Sequence, residues 1–397
     1  MTNESDQRYA ARGVSAGKAE VHAAIAGQDQ GLFPGAFCKI LPDLLTNDPT
    51  HCLLLHADTA GSKSSLAYLG WREGLGEHVW AGVAQDALVM NLDDCGCIGA
   101  LGPFLISNTI GRNAKRIPGS AIAGIIAGYQ SVCDLLTREG IPCRMCGGET
   151  ADVGDIVRTV DVGCTVAARL RRDRVVDCAR MAPGDLIVGF ASDGQAAWET
   201  QPNSGIGSNG LTSARHDALG GDYRRQYPET YAPELDAAVV YCGPWRMADP
   251  LPGDPRFTVG SALLSPTRTY LPLIKRLLDA VPLADLHGLI HCSGGGATKI
   301  GKFGRGNRYV KDAMPPPPPV FRMLIEASGT SLREAYTVWN MGVRLEAIVA
   351  PARAQACLDA AKACGIAAGI TGRVEASGQP GNEVVVAAGG ERFIYRM

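Results

Sequence analysis

A chain of 397 residues is too long for one small core and fits two domains at the usual size of roughly 150 residues each. Hydrophobic residues make up 46% and charged residues 20%, the mix of an ordinary folded protein. A formal net charge of −2 argues against a nucleic-acid groove or a polybasic membrane surface as the main partner. Met1–Arg12 is polar with no apolar core, so it is not a secretory signal. The most hydrophobic helical stretch, Ile117–Val132, is too short to span a bilayer. Thirteen cysteines without a signal read as reduced thiols in a cytoplasm. Cys95, Cys97, Cys143 and Cys146 lack the four matched ligands of a zinc site and read as small buried residues.

In chain order, residues 14–27 read as a short helix capped by Ser15, followed by a loop over Gly27–Pro34 and a mixed apolar segment to Leu45. The apolar run Cys52–Leu55 is a strand that opens into His56–Lys63, His-Ala-Asp-Thr-Ala-Gly-Ser-Lys. One carboxylate (Asp58), one glycine (Gly61), one hydroxyl (Ser62) and one lysine (Lys63) suit a polyphosphate. Backbone N–H groups and the ammonium would face the oxygens, and the carboxylate a metal. The alternative is a polar turn, and the spacing is not that of a Walker A loop. Ser64–Gly76 and Val79–Leu92 read as helices. The second delivers Asp93 and Asp94, adjacent carboxylates of which at most one can share a ligand with Asp58, and Asp94 is the candidate. Phe104–Asn108 is a strand, Pro118–Arg138 a helix closed by Gly140, and Ile141–Cys146 a strand. Gly147–Asp152 then reads as a loop giving close backbone approach and a second oxygen-rich site at Glu149 and Asp152, or else a tight turn with capping acids. Thr159–Leu170 alternates as a strand.

A boundary near Arg171–Pro183 separates residues 1–175 from 176–397. The second half opens on a strand, Asp185–Ala191. A Gly-Ser-Asn loop, Ser204–Thr212, feeds a helix and suits an anion, or is simply flexible. Gln226–Val259 reads as a polar excursion, Thr267–Ala280 as a helix and Leu286–Cys292 as a strand ending in Ser293–Gly296, another phosphate-type loop. Pro315–Pro319 reads as an exposed polyproline spacer before a helix over Phe321–Ala327. Strands over Leu345–Val349 and Glu383–Ala387 flank a helix over Pro351–Cys364, so this half is mixed α/β.

Taken together, Asp58–Lys63, Asp93-Asp94, Gly147–Ala151, Ser208–Gly210, Leu264–Tyr270, His291–Gly296 and Asn340–Gly342 resemble, in order, the motifs of the aminoimidazole ribonucleotide synthetase family, also called phosphoribosylformylglycinamidine cyclo-ligase. The resemblance implies two α/β halves, an N-terminal ATP- and metal-binding half whose sheet pairs with a second copy into a barrel-like homodimer, and a C-terminal mixed α/β half. It implies ATP-driven closure of formylglycinamidine ribonucleotide to 5-aminoimidazole ribonucleotide, with Mg²⁺ held by Asp58 and Asp94 and by Glu149 or Asp152. Lys63 would balance charge on the transferring phosphoryl group. Gly61, Ser62, Gly148 and Thr150 would join the nucleotide site. Gly205, Ser208, Asn209, Gly210 and Thr212, with Gly294, Gly295 and Gly296, would cradle phosphates.

The chain departs from the family pattern Gly-Pro-His-Ser-Asn-Gly at Gly207, where the histidine is absent and His216 or His291 could stand in, and at Thr59, usually glycine. Other readings are an ATP-using enzyme of the same superfamily, such as selenophosphate synthetase or thiamine-phosphate kinase, or a non-catalytic nucleotide-binding homologue. Selenophosphate synthetase usually carries a reactive cysteine near its N-terminus, and Cys38, the earliest cysteine here, in an apolar stretch with no activating partner, weighs against it. The joint presence of Asp58, Lys63, Asp94 and Glu149 weighs against the last.

Overall fold

The computed structural model describes residues 11–14, 23–25 and 27–397. The helix expected over 14–27, with its cap Ser15, falls largely outside the described residues. Two sheets organise the rest. The first is an open five-stranded sheet, β1 (Leu41–Pro42), β2 (His51–Thr59), β3 (Phe104–Arg112), β4 (Cys143–Asp152) and β5 (Val160–Arg171), in the order β1-β2-β5-β3-β4. Only β3 and β4 run parallel. Their connection is a crossover helix, as a parallel pair requires.

Helices α1 (Lys63–Arg72), α2 (His78–Cys97) and α3 (Gly119–Arg138) accompany this sheet. Alternation along the strands puts Cys52, Leu54, Ile106, Ile110, Val162 and Val166 under the helices. The other face carries the row Leu55, Ala167, Leu105 into solvent, with Leu55 67% and Leu105 50% exposed. Helix α3, at 20 residues, is long and apolar enough to cross a membrane by length and composition. It instead buries Ala121, Ile125, Gly128, Tyr129 and Val132, a 3.6-residue stripe, against α2 and the sheet. Gly128 lies so close to α2 that an added Cβ would stand 2.6 Å from Ala81.

The second sheet contains β6 (Leu186–Ala191), β9 (Leu286–His291), β10 (Asn307–Lys311), β11 (Val343–Val349), β12 (Ala368–Ala376), β13 (Glu383–Ala388) and β14 (Glu391–Arg396). Their order is β14-β13-β10-β12-β6-β11-β9. A two-strand hairpin, β7 (Asp193–Gly194) with β8 (Asn203–Ser204), stands apart. Around these lie α4 (Leu211–Ala218), α5 (Asp222–Gln226), α6 (Val259–Leu263), α7 (Leu271–Ala280), α8 (Pro319–Ser328), α9 (Leu332–Val338) and α10 (Ala354–Ala363). Helix α2 is the seam between the halves. One side lies on β2 and β5, and its far end packs on α7 and β9. At Gly96 an added Cβ would stand 2.7 Å from Leu271.

Several expectations need correcting. Strand β4 runs straight through Gly147–Asp152, because β3 pairs with it as far as Arg112↔Asp152 after an irregularity at Gly147, whose φ is +105°. That stretch is therefore a sheet edge rather than a loop. Helix α2 continues past Leu92 to Cys97, so Asp93 and Asp94 are buried residues within the helix rather than just beyond it. The polyproline run is not a free spacer: Pro318 is buried, its ring against the turn glycine Gly342. Among the described residues all thirteen cysteines are free thiols; Cys95 and Cys97 are buried, but Cys146 is exposed.

Candidate functional site

The strand–loop–helix His56–Lys63 lies at the seam, and its parts do different work from those the residue types suggested. Gly61 turns the chain in the left-handed region, φ +59°, where a side chain is strained. Ser62 precedes α1 without capping it, and its Oγ lies 2.8 Å from Thr212 Oγ1 of the second half. Lys63 is fully buried. Its ammonium donates to Asp86 Oδ1 at 2.9 Å, Gly207 O at 3.0 Å and Ser265 O at 2.6 Å. An ammonium has three donors, and all three are taken. Lys63 is thus a clamp between the halves, correcting the expectation that it faces a phosphoryl group. Burial lowers its pKa, while Asp86 opposes that shift.

Asp86 also accepts from Thr267 N and Oγ1, at 2.7 and 2.6 Å. Seven residues on, Asp93 accepts from Thr269 Oγ1 and Tyr270 N, at 2.8 and 2.9 Å. Burial pushes the Asp93 carboxyl up to about 7 against those donors. Between these contacts Arg268 forks onto Glu199 at 2.9 and 2.6 Å. The Thr267–Tyr270 segment is therefore a brace onto α2. Two aspartates seven apart on one helix stripe were a legible signal for it.

Asp94 faces the other way. Its Oδ1 accepts from His291 Nδ1 at 2.7 Å, and its Oδ2 lies 3.5 Å from His56 Nε2. His56 Nδ1 in turn donates to Asn91 Oδ1 at 2.9 Å, an orientation set by Asn91 Nδ2 donating to Ala87 O and Asp58 O. His291 is fully buried. Desolvation, outweighing Asp94, lowers its pKa to about 4. It is therefore neutral at ordinary pH. Because the carboxylate can only accept, the ring hydrogen sits on Nδ1 and the lone pair on Nε2, a buried atom with no partner among the described residues. Asp94 and His291 form an oriented base. His216, the other imidazole considered for the role of the missing histidine, packs edge-on against Tyr241 at 4.6 Å and belongs to the core.

The glycine loops meet beside this pair. Gly205, Gly207 and Gly210 all have positive φ, and Gly210 leads directly into α4. Ser208 Oγ lies 3.0 Å from Thr267 Oγ1. Asn209 Oδ1 is buried without a partner among the described residues, and its amide stands 3.7 Å from where a Cβ on Gly294 would be. Gly296 is pressed on Trp339 O, 2.3 Å from its would-be Cβ. Asn340 Nδ2 holds Gly205 O at 2.9 Å, and Lys311 Nζ holds Ala297 O at 2.6 Å. Gly61–Lys63, Gly205–Thr212 and Gly294–Gly296 are thus gathered at one seam, with Gly294 three positions beyond His291, the last residue of β9.

The magnesium set is not gathered. Asp58, Cys164, Asn108 and Gly148 occupy one row across the sheet, on the side of the helices. Glu149 and Thr109 lie in the next row, on the opposite face, three strand spacings or about 14 Å from β2. Gly148 is glycine because Asn108 fills its side-chain space, its Oδ1 1.6 Å from an added Cβ. Thr150 sits opposite Ile110 on the same edge strand. Asp152 is paired with Arg112 at 2.6 Å. Among the described residues no three His, Cys, Asp or Glu side chains converge to hold a metal. Asp58 and Asp94 with Glu149 or Asp152 therefore do not form a metal cage among the described residues.

Residues 35–170 match the family model of the AIR synthase related protein, N-terminal domain. The phosphoribosylformylglycinamidine cyclo-ligase of Methanothermobacter thermautotrophicus is 31% identical over 269 residues, 68% of this chain and 67% of that one. Among solved structures, phosphoribosylformylglycinamidine synthase II of Thermotoga maritima matches with a TM-score of 0.52 at 16% identity, over 99% of this chain but 51% of that one, so this chain spans about half its length. Hydrogenase maturation protein HypE matches with a TM-score of 0.51 at 16% identity, over 79% of this chain and 81% of that one. At these identities the structures show a shared mixed α/β fold.

Proposed function

The chain belongs to the phosphoribosylformylglycinamidine cyclo-ligase family, and we propose on that premise that it closes formylglycinamidine ribonucleotide to 5-aminoimidazole ribonucleotide at the expense of ATP. The observation that carries the reading is the Asp94–His291 pair beside three glycine loops. The substrate amide oxygen attacks the γ-phosphorus, and ADP leaves. The substrate's own nitrogen then attacks the imidate carbon, the C–O bond breaks and phosphate departs. That nitrogen must lose a proton, and His291 Nε2, neutral and oriented by Asp94, accepts it. Both reacting groups belong to one molecule, so positioning by the Gly205–Thr212 and Gly294–Gly296 loops supplies much of the acceleration.

ATP carries Mg²⁺ mainly on its own phosphates. Asp58, half-buried on the helix side of β2, is the carboxylate of the expected set that we assign to it. Residues 1–175 would hold the nucleotide and the dimer contact, and 176–397 complete the site. The uncovered face with Leu55, Ala167 and Leu105 supports pairing with a second copy, and free thiols go with a cytoplasmic setting.

The test is direct. Purified protein should consume ATP only when formylglycinamidine ribonucleotide is present, yielding one aromatic amine per ADP. ATP consumption without the ribonucleotide, or none at all, would remove the assignment.

A further inference from the structure

The departure at Gly207 has a structural counterpart. A Cβ built on Gly207 would stand 1.8 Å from Arg344 Nη1 and 2.8 Å from Cζ, so a side chain at 207 would displace this guanidinium from its place. Arg344 enters from the start of β11, where its carbonyl accepts from Cys292 N at 2.7 Å, beside the base His291. It is 1% exposed, yet among the described residues no carboxylate lies within ion-pair distance of it. Among the described residues its hydrogen bond is from Nη2 to the Met90 thioether at 3.1 Å, a weak acceptor, and Nε finds no partner. A guanidinium has five donors, and burying it without a matched anion destabilises a fold. Asp86, Asp93 and Asp94 act on it only at longer range.

We propose that Arg344 is an anion-binding residue of this site, reaching through the gap left by Gly207 to hold a phosphate group. The chemistry is that of a phosphate monoester or a transferring phosphoryl group, for which a planar fork of donors is well matched. The proposal rests on the ring-closure reading for its substrate but not for its binding chemistry.

The variant is Arg344→Met, which keeps the apolar stem and removes the charge. A bracing arginine would lose stability on this change. An arginine awaiting an anion should leave the melting temperature of the free protein unchanged or raised. Inorganic phosphate should raise the melting temperature of wild type and not of R344M, a readout that needs no turnover. Kinetics then locate the phosphate. A rise in KM for the ribonucleotide of about ten- to hundredfold, the size of one charged hydrogen bond, assigns the substrate's phosphate. A comparable fall in kcat with both KM values unmoved assigns the transferring group. Gly207→Ala should mimic whichever loss is seen. An equal phosphate response in wild type and R344M, or a melting temperature that drops while kinetics stay put, overturns the proposal, even if ring closure itself is confirmed.

Discussion

Replacing His291 by alanine removes, among the described residues, the one buried imidazole whose lone pair is both oriented and unpartnered. Loss of a general base lowers turnover by about 10²- to 10⁴-fold, so kcat with saturating ribonucleotide should fall by that factor while KM for ATP holds. Asp94→Asn should fall comparably, because an amide at 94 no longer demands the Nδ1 hydrogen. The double variant should be no worse than the worse single one, since the two residues act as a unit. The pH dependence follows from burial. With the folded pKa near 4, the base is ready throughout the neutral range, and the acid limb of kcat should show no inflection between pH 5 and 8, the window of an ordinary histidine. The unfolded chain takes up the proton near the usual 6.5, so it binds more protons than the folded chain between those values. Stability therefore rises with pH across that window and is lost on going down from 6.5 to 4, by about 3 kcal/mol for this group. Denaturant melts from pH 4 to 7 should show that slope in wild type and a shallower one in H291A. A correctly folded H291A that turns over like wild type would refute the assignment of the base.

Three further outcomes follow. Leu55→Arg or Leu105→Arg should leave each subunit folded but shift the protein to a monomer in sedimentation, since either puts charge on the uncovered sheet face. Lys63→Met should cost about 3–5 kcal/mol in denaturant melts by stranding Asp86, which separates a buried clamp from a phosphate ligand. Asp152→Asn breaks an ion pair whose carboxylate is 60% exposed, so neither stability nor the magnesium dependence of ATP turnover should change measurably.

Much of the fold could be read from periodicity. The alternation of Val160, Val162, Cys164 and Val166 marked β5, and the Pro118 to Gly140 punctuation marked α3. The glycine-rich stretches Ser204–Thr212 and Ser293–Gly296 were legible as loops, and Gly205, Gly207, Gly210, Gly295 and Gly296 there all take positive φ. What could not be read was facing. Gly-Gly-Glu-Thr-Ala looks like a loop, but pairing with β3 makes it a strand, and alternation then turns Glu149 away from Asp58. Lys63 looks like a phosphate ligand until its three acceptors, from residues 86, 207 and 265, converge on it. No local signal announces an acceptor 202 residues away. The unpartnered lone pair of His291 is likewise a property of the assembled seam.

That seam explains why one helix carries so much of the polar chemistry. On α2, Asp86, Met90 and Asp93 repeat at three- and four-residue spacing and face the second half, holding Thr267, Arg344 and Thr269. Ala87, Asn91 and Asp94 form the neighbouring stripe and face the sheet, where they meet Cys164 and His56. Asp94 stands where the stripes meet, so it alone can touch His56 from the first half and His291 from the second. The oriented base therefore exists only while the halves are docked. Lys63 holds them docked by its bonds to Gly207 and Ser265. A change that loosens this clamp acts on turnover through the Asp94–His291 distance, without touching the substrate.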